Sequence, residues 1–449
     1  MKVVFVFLVL IHSVVAIILP NPLIKPARDE FYVATPGFEA TEPGTILKIR
    51  PTPHRLKSLF FHVPLKNSWQ LLVRSEDSRG DPTAIVTTIF EPQNSNPTKI
   101  LSYQTFEDAS NINCSPSFAF QAGSPFSTFA TSFEMNFMVP ALKNGYFVVS
   151  PDYEGPRSAF TAGIQSGQAV LDSIRAVLRS GNLTGISGDA QVAMWGYSGG
   201  SLASGWAASL QPTYAPELSK NLIGAALGGF VTNFTATAEA TDGTVFSGII
   251  PLGLHGLGNE YPEIRDLVNR EINPKRNVSF QRGVQKCLLP ALAHFRGRSM
   301  LEGRIPYFIQ GFGLLDDPVL FNVIRDNSLI YHLTLPQIPI FVYHGKLDAV
   351  VPIKDVIDIF HNWCDSGMQS FEFAEDITNG HISEQIIGAP AAWTWIKARF
   401  DGFPAIQGCT HTRRLTNLKY ENITKNTLDF FYKLRVNQKE MLRGMSIDM

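Results

Sequence analysis

The residue in this sequence best placed to do chemistry is Ser198, in Gly196-Tyr197-Ser198-Gly199-Gly200. A serine hydroxyl is a poor nucleophile at neutral pH. Acyl transfer therefore needs it held clear of the backbone, beside a base and beside donors for a developing oxyanion. The apolar run Ala190 to Trp195 reads as a strand and the small-residue stretch Leu202 to Leu210 as a helix, so Ser198 falls on a sharp turn between them. Gly196 and Gly200 lack the Cβ that would keep strand and helix apart. The N–H of Gly199, at the helix N-terminus, then faces the point where negative charge would develop. The pentapeptide alone fits an ordinary turn; its flanking elements make it a nucleophile elbow.

A serine esterase also needs a base and an acid to orient that base. The α/β-hydrolase order is serine, acid, histidine, with the acid after a late strand and the histidine after the last one. Asp348, in His344-Gly345-x-x-Asp348-x-x-Val351-Pro352, meets the first condition, and His381, in Asn379-Gly380-His381, the second. Asp348 would also serve as a helix-start residue, and an isolated histidine is usually a surface group. Asp365 and Asp376 are rival acids; His344, His361 and His411 are rival bases. Asp108 lies in the loop Thr105 to Ser110, which carries no Gly-Gly run; it reads either as a turn residue or as a group shaping the oxyanion hole.

These residues need a scaffold of alternating strands and helices. Strands are expected at 68–75 and 82–90, as a hairpin at a sheet edge, and then at 99–104, 145–150, 190–197, 221–229, 338–345 and 369–373. Helices are expected at 162–180, 353–364 and 390–399. The alternation predicts an α/β-hydrolase fold with a mostly parallel sheet. Between 230 and 335 the pattern changes to helical segments rich in Gly and Pro, read as a cap insertion. The core is then 17–229 and 336–449, with 17–46 as a proline-rich arm and 403–449 as a polar, basic tail of unread role. Apolar patches at Val245–Leu254 and Ile305–Leu315 are candidates for an acyl-chain channel, although most apolar helix faces are simply core.

The 449 residues are 45% hydrophobic and 17% charged, with a formal net charge of -1, which suggests neither disorder nor a nucleic-acid partner. Residues 1–16 have a basic start, an apolar run and a small-residue cut site, so they read as a secretory signal peptide and not as a transmembrane anchor. Cys114, Cys287, Cys364 and Cys409 lack zinc or redox spacing and fit two disulfides, with the pairing open. Asn182, Asn233, Asn277 and Asn422 head glycosylation sequons. Together these features predict a secreted, extracellular protein.

With Gly-Tyr-Ser-Gly-Gly, His-Gly-x-x-Asp and Asn-Gly-His in this order around a large insertion, the chain resembles the Candida-type fungal secreted lipases, the family that includes lipase A of Candida antarctica. The resemblance covers nearly the whole mature chain. It implies Ser198 as nucleophile, Asp348 as acid, His381 as base, and Gly199 and Asp108 as the oxyanion hole. It also implies the bridges Cys114–Cys287 and Cys364–Cys409. The expected activity is hydrolysis of long-chain fatty-acid esters, chiefly triacylglycerols, by a monomer at a lipid surface, with no metal or cofactor. A short-chain esterase, an acyltransferase and a serine peptidase would share the triad. A non-catalytic binding protein of the same fold would usually lack one of its members.

Overall fold

The computed structural model describes residues 23–61, 64–332 and 334–444. The expected signal peptide, 1–16, lies outside them. Ten strands form one sheet: β1 (Ile46–Pro51), β2 (Leu65–Glu76), β3 (Pro82–Pro92), β4 (Asn96–Gln104), β5 (Tyr146–Pro151), β6 (Gln191–Tyr197), β7 (Leu222–Gly228), β8 (Ile340–Gly345), β9 (Ser370–Asp376) and β10 (Gly408–Arg414). Their spatial order is β1-β2-β3-β5-β4-β6-β7-β8-β9-β10. β1, β2 and β3 pair antiparallel, as does β3 with β5; every pairing from β5 across to β10 is parallel. The protein has an α/β-hydrolase fold.

A parallel strand covered on both faces is apolar throughout, and β6 is the example. Its Val192 and Met194 join one core cluster with residues of the helices Gly163–Arg179 and Gly199–Tyr214. Its Ala193 and Trp195 join the opposite cluster, with residues of the helices Met135–Lys143 and Ala389–Phe400. The sheet is thereby sandwiched between two layers of helices.

Three expectations are corrected. The β2–β3 hairpin is not the sheet edge, because β1 flanks β2 and β5 flanks β3. His381 follows β9, not the last strand: β10, parallel to β9, comes after it. Residues 403–449 are no mere tail, since they supply β10 and the helix Lys425–Gly444, whose Phe431 and Leu434 are buried in the core.

The region after β7 is helical, with segments at Phe234–Thr241, Ile249–Glu260, Pro262–Glu271, Pro274–Val284, Leu288–Phe295 and Pro318–Asn327. It has its own apolar cluster around Leu257, Ile264, Phe280 and Phe308. Cys114 is bonded to Cys287, tying the loop after β4 to this helical region, and Cys364 to Cys409, tying the helix Ile353–Asp365 to β10.

Candidate active site

Ser198 stands between β6 and its following helix with φ 52° and ψ −123°, the strained backbone of a nucleophile elbow. The turn closes only because glycine surrounds it. A Cβ on Gly196 would stand 2.1 Å from the Gly200 carbonyl oxygen, and one on Gly200 1.9 Å from that of Gln104. The hydroxyl is thereby aimed away from the sheet.

Two loops from later in the chain meet it there. Ser198 Oγ lies 2.9 Å from His381 Nε2, and His381 Nδ1 lies 2.7 Å from Asp348 Oδ2. Lys346 N–H donates to the Asp376 carbonyl at 2.7 Å and Leu347 N–H to that of Asn379 at 3.0 Å, which stitches the acid loop to the histidine loop. Asp348 Oδ1 accepts from Val350 N–H at 2.9 Å and Val351 N–H at 2.7 Å. Burial alone would raise this carboxyl, but the His381 imidazole and the Val351 N–H outweigh it and hold the group at about 2. An ionised Asp348 can only accept, so the His381 proton sits on Nδ1 and Nε2 is free to take the Ser198 proton.

The rival residues are used elsewhere. His344 is buried beneath the acid; its Nδ1 accepts from Phe230 N–H at 3.1 Å and its Nε2–H meets the Val351 carbonyl at 3.1 Å, so both nitrogens are occupied. Asp376 takes the N–H groups of Thr378, Asn379 and Asn417. His411 pairs with Glu375 at 2.7 Å on the β9–β10 edge. His361 and Asp365 are exposed on the helix Ile353–Asp365.

Asp108 has φ 47°, and its carboxyl comes so close to the elbow that a Cβ on Gly199 would stand 1.9 Å from Oδ1. That oxygen is buried with no hydrogen-bond partner. Burial pushes the Asp108 carboxyl up to about 7, with the His381 imidazole pulling the other way. The Gly199 N–H and a protonated Asp108 can therefore both donate beside Ser198.

From this point an apolar channel runs into the helical region. Ser198, Gly199, Asp108 and Leu202 are among its lining residues from the core, and Ala238, Ile249, Leu254, Leu257 and Ile324 among those from the helical region. The first apolar patch read from the sequence reaches the channel. The second reaches it only through Leu315, while Phe308 packs inside the helical cluster and Ile305 is exposed.

Against known proteins, residues 120–408 match the family model described as secretory lipase. The chain belongs to the secretory lipase family. It is a lipase of the α/β-hydrolase fold. Lipase 1 of Candida albicans is 56% identical over 421 residues, covering 93% of this chain and 90% of that protein. Lipase 6 of the same fungus is 52% identical over 433 residues, covering 96% and 93%. Among solved structures, Candida antarctica lipase A superposes with a TM-score of 0.80 at 26% identity, covering 92% of this lipase and 95% of that chain.

Of the sequon asparagines in this lipase, Asn182, Asn277 and Asn422 are exposed. Asn233 is only half-exposed. Its Oδ1 caps the helix Phe234–Thr241, and its Nδ2, the atom a glycan would occupy, donates to Asp355 Oδ1 at 3.0 Å. Glu134 escaped the sequence reading. Its signal was a lone charge in the otherwise uncharged stretch Phe126 to Leu142.

Proposed function

We propose that this lipase hydrolyses long-chain triacylglycerols through a Ser198-His381-Asp348 acyl-enzyme mechanism. The observation that carries the reading is the hydrogen-bonded chain Asp348–His381–Ser198 at the head of an apolar channel. His381 Nε2 takes the Ser198 proton as Oγ attacks the ester carbonyl, and Asp348 stabilises the imidazolium that forms. The Gly199 N–H and Asp108 hold the oxyanion. His381 then protonates the leaving alcohol, a water repeats the attack with His381 as base, and the fatty acid departs.

The predominantly apolar lining of the channel supports an acyl chain as its occupant. Leu347 and Ile382, the sequence neighbours of Asp348 and His381, expose apolar side chains at 61% and 41%, which suits work at a lipid surface. The cap is 230–335, set between core segments 17–229 and 336–449. The protein acts outside the cell after removal of residues 1–16, with glycans at Asn182, Asn277 or Asn422. Two disulfides fit that setting, and no helix among the described residues is long and apolar enough to cross a membrane.

The test compares fatty-acid release from emulsified long-chain triacylglycerol and from a soluble short-chain ester, by the native protein and Ser198→Ala. Native activity on both, absent in the variant, is expected. Cleavage of the short ester alone would make the protein a carboxylesterase, and transfer to an added alcohol in preference to water an acyltransferase.

A further inference from the structure

Residues 272–304 contain seven lysines and arginines, Lys275, Arg276, Arg282, Lys286, Arg296, Arg298 and Arg304, and one carboxylate, Glu302, in a chain whose formal net charge is -1. This stretch of the helical region thus carries a formal charge of +6, seven cations less one carboxylate. None of these seven cations lies within ion-pair distance of a carboxylate among the described residues, although pairs are common elsewhere on the protein. Asp242, the carboxylate that contacts this stretch, is engaged by the Ser299 hydroxyl and the Met300 N–H.

Two of the guanidinium groups are held in place by neutral oxygens. Arg276 donates from Nε and Nη2 to the Ile305 carbonyl at 3.1 and 3.0 Å, and Arg298 from Nη1 to Ser279 Oγ at 3.1 Å and Tyr307 Oη at 2.8 Å. These contacts orient the charges without neutralising them. Apolar side chains are interspersed with them. Val278 projects from the helix Pro274–Val284 between Lys275 and Arg282, one turn from each, and is 64% exposed; Ile305 follows Arg304 and is 39% exposed. Uncompensated cations alone would suit any polyanion. Cations mixed with exposed aliphatic groups suit a surface with charged headgroups above a hydrocarbon layer.

We propose that residues 272–305 form a docking surface for a lipid layer carrying anionic phospholipid headgroups, with the arginines on the phosphates and Val278 and Ile305 set into the headgroup boundary. Arginine matches phosphate oxygens in bidentate geometry, and five of the seven cations are arginine. The inference rests on the reading of the protein as a lipase that works at a lipid surface, and it adds that the surface is selected by charge.

The test measures vesicle binding by sedimentation with the Ser198→Ala protein, so that no fatty acid is released. It is run with and without Asn277→Gln, because Asn277 is an exposed sequon on the same helix. Vesicles of phosphatidylcholine alone are compared with mixtures containing phosphatidylserine or oleate. Tighter binding to phosphatidylserine vesicles, weakened by salt, is expected. Lys275→Gln, Arg282→Gln, Arg296→Gln and Arg304→Gln combined should lower that binding by about 100-fold or more. The same four changes in the active protein should leave hydrolysis of a soluble short ester unaltered, which reports a folded enzyme.

Equal binding to neutral and phosphatidylserine vesicles overturns the proposal. So does anionic binding that survives the four changes, binding to oleate vesicles but not phosphatidylserine ones, or equal competition by a soluble sulfated polysaccharide. Loss of short-ester hydrolysis in the native protein would instead strike the catalytic reading.

Discussion

Gln385 Nε2 donates to Glu134 Oε1 at 2.6 Å, so the helix that begins with His381 is bonded to a carboxyl at the start of the helix Met135–Lys143, on the same face of the sheet. Glu134 Oε2 in turn accepts from Tyr103 Oη at 3.1 Å and from Phe106 N–H at 3.4 Å, two residues before Asp108. One buried side chain therefore joins the segment of His381 to the loop of Asp108. Burial pushes Glu134 up to about 8, so near neutrality it is a protonated acid. Glu134→Gln should retain most activity, whereas Glu134→Ala should cut kcat on a soluble ester by about 10- to 100-fold, through misplacement of both loops. Steady-state kinetics of the two variants, each checked for native circular dichroism, tests this.

The triad and Asp108 should differ in magnitude. Ser198→Ala and Asp348→Asn are expected to lower kcat about 10⁴-fold or more, and Asp108→Ala about 10²- to 10³-fold. A protonated Asp108 donates to the oxyanion and an ionised one repels it, so activity that depends on it should fall as pH rises through about 7. Asp108→Asn, which cannot ionise, should lose that alkaline limb. A pH–rate profile on a soluble ester decides it; an unchanged limb would assign it to another group.

Stability should have its own pH dependence. Burial raises Asp108 and Asp152 to about 7 and Glu134 to about 8 in the folded protein, against about 4 in an unfolded chain. Between those values the folded state holds protons that the unfolded state has released, so stability should fall as pH rises from about 4 to 8. Asp348, held at about 2, works in the opposite sense: its contribution is present above about 4 and is lost as pH falls through 2. Urea midpoints measured from pH 4 to 8 should therefore decline.

Filling the channel should separate long from short substrates. Ala238 lines it from the helix Phe234–Thr241. Ala238→Phe should lower kcat/KM for long-chain esters by about 10-fold or more and leave a short ester little changed. A parallel loss on both would mean that the acyl chain lies elsewhere.

The Cys114–Cys287 bridge closes a loop of sequence separation 173 and anchors the region just beyond Asp108 to the helical region. Cys114→Ser with Cys287→Ser should cost roughly 2–5 kcal/mol of stability. It should also lower activity below the denaturation midpoint, because the loop of Asp108 loses its tether. Denaturation curves and soluble-ester kinetics on the double variant test both effects.

Taken alone, the sequence determined the elements whose signal is local. The apolar run of β6, the glycines around Ser198, and the ordering of Ser198, Asp348 and His381 along the chain were all legible, because a buried parallel strand and a tight elbow constrain their own residues. β10 was not legible. Its Thr410-His411-Thr412-Arg413-Arg414 lies on a half-exposed sheet edge, where no apolar alternation is needed. Nor could sequence say that Asn233 met Asp355, how much of each apolar patch faced the channel, or that Glu134 met Gln385 across 251 positions. Those facts belong to the tertiary structure, since a hydrogen bond or a shared wall between distant segments exists only once packing has brought them together, and neither segment carries a local mark of its partner.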